Sequence, residues 1–519
     1  MTDTSQETIL AKTAKGAGWI IGWRMVTRLI GLLNTLFLLR LLVPADFGLV
    51  ALAAGFGAAA DSLSWFGVEE AVIREPNPTR ELYDCAFTIN LIRGLATATI
   101  LALAAWPTAA FFADQRLFPV MSVLALGWLV TAFENIGIVD FRRDIAFEKE
   151  FLLMALPRAV SSVIAIMLAF ILHNYWALVS SILLSICLRV ALGYVMHPFR
   201  PRLGLRAWRQ IAGFSFWSWM LGLVGLLRDR CDTFIIGRAL GVGSVGVFSA
   251  GAEIGALPVT EFVSPLGRAC FSSFAAARNA GAQDALAQAF LRVLSSTLLV
   301  ALPAGVGISL VAAPLVNVAF GPQWTAAIPV IQVLGVALSA MTVGLIATAL
   351  LNAYAVLQRM FWIQVGALAV RVPLVILLVA QAGLTGAAIG AGVATALEHL
   401  LTLAMALRRL HIGAACLLGH TWRSLFATAA MATSLAASGL GWARQSSGPA
   451  PGTAHFVTEL VVVSSAGALV YGGTLLLLWL LCGRPPGAET DLIGMARRAG
   501  TRAATALRRQ MGTLHPVRE

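Results

Sequence analysis

TFIIGRALGVGSVGVFS, running from Thr233 to Ser249, decides the architecture, because the chain has nearly said it before: from Thr35 it reads TLFLLRLLVPADFGLVA. At an offset of 198 residues, Thr35, Arg40, Leu42 and Gly48 fall on Thr233, Arg238, Leu240 and Gly246, with the polar residues Asn34 and Asp232 one position ahead. Each copy closes one apolar run and enters the next through a short, glycine-bearing turn. An echo of this kind implies two copies of one unit within the chain.

The runs around the echo are long. Of 519 residues, 59% are hydrophobic and 12% charged, with a mean hydropathy of +0.83, far from the make-up of a soluble domain. A stretch of about 20 such residues crosses about 30 Å of hydrocarbon. Interrupting Gly and Pro suit bundled helices better than the alternating strands of a barrel. The expected fold class is all-α: a polytopic membrane protein of about 14 transmembrane helices. Spans are predicted near 17–42, 47–68, 83–106, 117–139, 151–172, 175–197, 212–237, 246–266, 290–316, 326–352, 360–380, 384–407, 422–442 and 455–482.

Charge tests that count, because an invented or missed span scrambles Lys and Arg between alternate loops. With the N-terminus cytoplasmic, one side collects Lys12, Lys15, Arg74, Arg80, Arg142, Arg143, Lys149, the arginines from Arg200 to Arg209, Arg268, Arg278, Arg292, Arg359, Arg408, Arg409, Arg423 and seven arginines after Cys482. The other side receives Arg40, Arg116, Arg238 and Arg444. Both termini are therefore expected in the cytoplasm. The net charge of +12 is a topology signal and an attraction for anionic headgroups, with no nucleic acid implied. Six cysteines without C-x-x-C spacing or a histidine cluster imply packing, with neither disulfide nor metal.

Together, echo and spans divide the chain into a six-helix bundle over 1–198, a basic amphipathic cytoplasmic linker over 199–211, a second six-helix bundle over 212–410, two further helices within 411–482 and a basic cytoplasmic tail over 483–519. In the linker, Leu203, Leu205, Trp208 and Ile211 are placed to lie on the membrane. Two parallel bundles rocking about a central cavity form an alternating-access transporter.

RLLVPADFGLVALA, DTFIIGRALGVGSVGVFSAG, FGPQWTAAIPVIQVLG and LLNAYAVLQRMFW carry a resemblance over about residues 10–410. The chain resembles the Wzx-type oligosaccharide-lipid flippases of the multidrug/oligosaccharidyl-lipid/polysaccharide exporter superfamily. That resemblance implies movement of undecaprenyl-pyrophosphate-linked glycans across the bacterial inner membrane, for lipopolysaccharide O-antigen or exopolysaccharide. It also implies glycan polymerases and glycosyltransferases as candidate partners. Alternatives are a peptidoglycan-precursor lipid flippase, a cation-coupled drug exporter of the same superfamily, and a membrane scaffold for glycan-synthesis enzymes. The two extra helices at 422–442 and 455–482 are candidates for a groove holding a polyprenyl tail, or for passive packing.

An ionised side chain at membrane depth costs about 2.5–3.5 kcal/mol on insertion scales, so those present face a cavity or a partner. Arg24, Arg28, Arg93 and Arg371 are candidate ligands of the substrate pyrophosphate, for which guanidinium offers paired, charge-assisted hydrogen bonds. Asp61, Asp232, Glu253 and Glu398 are candidates for H⁺ or Na⁺ coupling or for structural ion pairs. Arg228 and Asp232, spaced i and i+4, read as a locally neutralised pair. No P-loop, G-x-S-x-G elbow or H-E-x-x-H helix occurs, so a transporter rather than an enzyme is expected, with no catalytic residue and no cofactor.

Overall fold

The computed structural model describes residues 30–31, 33–63, 68–75, 78–144, 146–208, 216–443, 452–485 and 487–490. Among these no strand occurs, and the long helices follow the apolar runs. Pro44–Leu63, Arg80–Phe111, Phe147–Leu172, Trp176–Met196, Phe216–Leu240, Val242–Pro258, Gln283–Leu310, Ala414–Ala437 and Thr453–Leu481 each coincide with a predicted span. The part of the first span before residue 30 lies outside the described residues.

By length and composition, eight helices among the described residues can cross a membrane, or nine with the pair Leu117–Ala132 and Ile136–Arg143, which bends by 72°. Phe216–Leu240 is not among them, because Arg228, Asp229, Arg230 and Asp232 interrupt its apolar surface. One of the eight, Leu357–Arg409, is two helices in series. Ala382 leaves the helical region and Gly383 takes φ 57° and ψ −132°, a conformation open to glycine. The predicted spans at 360–380 and 384–407 are its two arms. The chain is an all-α, multi-pass membrane protein.

Helix ends have local causes. Thr79 caps Arg80–Phe111 by accepting the Leu82 amide, and His173 closes Phe147–Leu172 in the left-handed region. At Pro258 the ring denies the backbone a donor; the helix opens into a π turn over Val259–Val263 before continuing as Ser264–Asn279.

Proximity divides the fold into two compact units. The first comprises the described residues up to Gly251 with Val316–Ile328 and Gln364–Ala391. Within it, the Gln364–Ala391 hairpin folds so tightly that a Cβ at Gly386 would meet the Leu378 carbonyl. The segment after Trp176–Met196 leaves the helix at an extended His197 and carries no regular secondary structure as far as Leu205. It is strapped to the start of Arg80–Phe111: the Arg202 amide donates to Asp84 at 2.8 Å and the Gly204 amide to Thr88 at 2.9 Å. Leu203, Leu205 and Trp208 remain exposed beside this strap, while Ala207 enters a core with Leu82, Cys85 and Ile136.

The second unit comprises Ala252–Leu315, Pro329–Ile363 and the described residues from Gly392 onward. Gln283–Leu310 is its axis, packed against Ala414–Ala437 and Met341–Ala353. Tyr471 ties Thr453–Leu481 to that axis by donating to the Leu299 carbonyl at 2.6 Å.

Loops assigned to one side by charge meet one another. In the first unit Arg238 lies over Phe111 and Arg40 donates to the Val318 carbonyl. In the second, Arg278 and Arg409 meet at Tyr354.

Candidate functional site

The two copies of the echo touch. A Cβ built on Gly48 would lie 1.8 Å from the Val242 carbonyl oxygen, and one built on Gly246 would lie 1.8 Å from the Pro44 carbonyl oxygen. The 198-residue offset maps one contact onto the other, Gly48 onto Gly246 and Pro44 onto Val242, so the crossing of Pro44–Leu63 and Val242–Pro258 is reciprocal. Only glycine permits backbones this close. A third motif locks in beside them. Gly321 turns the chain at φ 100°, Pro322 opens a short 3₁₀ turn, and the fully buried Trp324 donates to the Leu39 carbonyl at 2.7 Å while packing edge-on against Phe47. This junction lies on the arginine-poor side, closed at the neighbouring turn by Arg116 and Asp114, 2.7 Å apart; the guanidinium holds the Asp114 carboxyl below its usual range.

Of the candidate ligands, Arg24 and Arg28 lie outside the described residues. Arg93 and Arg371 each meet one of the candidate acids within the first unit. Arg371 Nε donates to Asp232 Oδ1 at 3.0 Å and its Nη2 reaches Oδ2, a two-pronged pair almost sealed from the surface. Asp232 thus draws a charge partner from a distant helix, one that the local reading with Arg228 did not foresee, and Arg228 reaches Asp229 at 2.9 Å. The physical reason is geometric: a bidentate guanidinium fork satisfies both carboxylate oxygens at once.

Arg93 faces Asp61 at 3.8 Å on the rim of a cavity of about 30 Å³, bordered also by Asn90, Trp128 and Glu134. That space holds about one water molecule or cation. Glu253 is exposed on Val242–Pro258, and Glu398 is buried, its carbonyl accepting from Thr402.

Several ion pairs escaped the sequence reading. Glu134 accepts from Arg189 at 2.8 Å, and Arg142 bridges Glu69 and Glu150 at 2.9 and 3.0 Å. Asp140 gathers Tyr83, Arg143 at 3.1 Å and His197 at 3.4 Å. His197 accepts the Phe199 amide at 3.2 Å, and burial pushes its pKa below the ordinary value in spite of Asp140. In the second unit Arg423 Nε and Nη2 donate to Glu489 at 2.7 and 3.1 Å, both residues buried. The excess of basic residues on this side was the available signal; partners so far apart in the chain leave none.

The second unit also holds an apolar groove of about 530 Å³ between Gln283–Leu310, Ala414–Ala437 and Thr453–Leu481, lined by Pro303, Ile308, Met431, Leu435, Val463 and Tyr471. The helices at 422–442 and 455–482 were expected to offer such a groove or to pack passively.

Residues 37–329 match the family described as polysaccharide biosynthesis protein. The succinoglycan biosynthesis transport protein ExoT of Rhizobium meliloti is 23% identical over 338 residues, 64% of this chain and 68% of that protein. The lipopolysaccharide biosynthesis protein WzxC of Escherichia coli is 22% identical over 331 residues, 62% of this chain and 66% of that one. In fold, the chain superposes on the lipid II flippase MurJ in an inward closed conformation with a TM-score of 0.67, at 12% identity, over 90% of this chain and 99% of that structure.

Proposed function

The chain belongs to the polysaccharide biosynthesis protein family, and from that premise we propose that it moves undecaprenyl-pyrophosphate-linked oligosaccharide across the bacterial inner membrane by alternating access, for O-antigen or exopolysaccharide synthesis. The observation that carries this reading is the reciprocal crossing at Gly48 and Gly246. Helices that cross backbone to backbone, as these two repeats do here, can part and re-form at low cost. The substrate class follows the relatives, named for the synthesis of succinoglycan and lipopolysaccharide.

In this reading the protein is a transporter rather than an enzyme, with both termini in the cytoplasm. Arg24 and Arg28 receive the pyrophosphate in a cavity between the six-helix bundles. Arg371 and Arg93, paired with Asp232 and Asp61, tune that cavity or exchange partners during transport. The groove of about 530 Å³ suits the apolar tail. Asp61, beside a space for one small ion, is the foremost candidate for H⁺ or Na⁺ coupling, ahead of Asp232, Glu253 and Glu398.

The test is a proteoliposome assay in which a fluorescent polyprenyl-pyrophosphate glycan becomes accessible to an external quencher. Arg24→Ala with Arg28→Ala should slow exposure by roughly tenfold or more, the worth of one or two charge-assisted hydrogen bonds. An unchanged rate removes the proposed anion site. No exposure by the wild-type protein, with glycan enzymes still assembled around it in cells, returns the scaffold alternative. Faster movement of cationic drugs than of the glycan returns the exporter.

A further inference from the structure

Apart from the groove and the ion pairs, the second unit carries a cavity of about 470 Å³ where Met341–Ala353 ends and Leu357–Arg409 begins and ends, on the arginine-rich side. Its walls have two characters. Leu351, Ile363, Leu401 and Met405 make an apolar face continuous with the membrane-spanning helices. Arg359, Arg408 and Arg409, with His411, make a cationic mouth. None of the three arginines forms an ion pair with a described residue.

Their placement is built rather than accidental. The Arg409 guanidinium lies 4.9 Å from the Tyr354 ring centroid and Arg278 lies 5.4 Å from the same ring, while Arg278 also donates to the Ala353 carbonyl. Stacking fixes a guanidinium by its face and leaves its N–H edge free for an acceptor. His411 holds a left-handed backbone, φ 55°, which ends the helix beside Arg408 and Arg409.

Three cations converging on one cavity repel one another and call for an anion. The apolar face calls for hydrocarbon, and a soluble anion leaves it exposed. We propose that this cavity binds an anionic phospholipid, its phosphate held by Arg359, Arg408 and Arg409 and its acyl chain laid along Leu351, Ile363, Leu401 and Met405.

The test uses the full-length protein, delipidated in detergent and titrated with phosphatidylglycerol or phosphatidylcholine, with bound lipid counted by native mass spectrometry and thermal stability followed in parallel. Three arginines should favour phosphatidylglycerol by roughly a hundredfold. Arg359→Gln, Arg408→Gln and Arg409→Gln together should abolish that preference, and the corresponding three lysine substitutions should keep most of it. Equal retention of both lipids by the wild type overturns the proposal, as does undiminished preference in a folded, monodisperse glutamine variant. Displacement of the lipid by inorganic pyrophosphate at equal concentration overturns the lipid assignment in favour of a soluble anion. Displacement only by a polyprenyl pyrophosphate overturns it in favour of the transported substrate.

Discussion

A carboxylate 5% exposed and a guanidinium 12% exposed hold each other in Asp232 and Arg371, so removing either strands a buried charge. Asp232→Asn or Arg371→Met alone should cost about 3–5 kcal/mol, and the double change Asp232→Leu with Arg371→Met should recover most of it. Thermal unfolding in detergent checks this; additive losses show the two residues to be independent. Sequence reading found Arg371 by its depth and Asp232 by its charged cluster, but not their union. They lie 139 positions apart, and Arg228, one helical turn from Asp232, offered a nearer answer. His197 carries a pH signature. Its folded pKa lies below the ordinary value, so an unfolded chain binds the proton more readily. Stability is then complete above about pH 6.5 and declines as pH falls below it. His197→Gln should flatten that acid limb in a thermal-shift series.

At the level of helices, the reciprocal crossing makes a prediction that chance resemblance does not. Gly48→Leu and Gly246→Leu place a side chain against equivalent carbonyls, so the two should impair transport and stability to a similar degree. Unequal effects in the proteoliposome assay break the symmetry argument. The break at Gly383 is a second element-scale feature. Gly383→Ala imposes a conformation foreign to side chains and should cost about 1–3 kcal/mol, read as a lowered melting temperature. Both features were legible in outline: the echo aligned Gly48 with Gly246, and Gly383 stood in the gap between two apolar runs. Their contacts were not, because hydropathy fixes where a helix runs but not which neighbour its small residues admit.

For the molecule as a whole, charge distribution carried most of the information. Alternation of arginines placed the loops on two sides, and loops sharing a side come together at Trp324 and Leu39 in one unit and at Tyr354 and Arg409 in the other. In a cysteine-free background, Gln115→Cys and Ala355→Cys should therefore react with an impermeant maleimide from opposite faces of the membrane. Labelling of both from one face refutes the topology. Tertiary chemistry was harder to read. The basic mouth at Arg359, Arg408 and Arg409 is scattered over fifty positions and looks, in sequence, like ordinary cytoplasmic charge.

The clasp between Arg423 and Glu489 bears on how the gene can be trimmed. An expression version ending at Pro485 would lose the only acid recorded against that guanidinium among the described residues and leave a cation stranded in a dry place, whereas one ending after Thr490 keeps the lock. Reporter fusions and purification handles belong beyond that point.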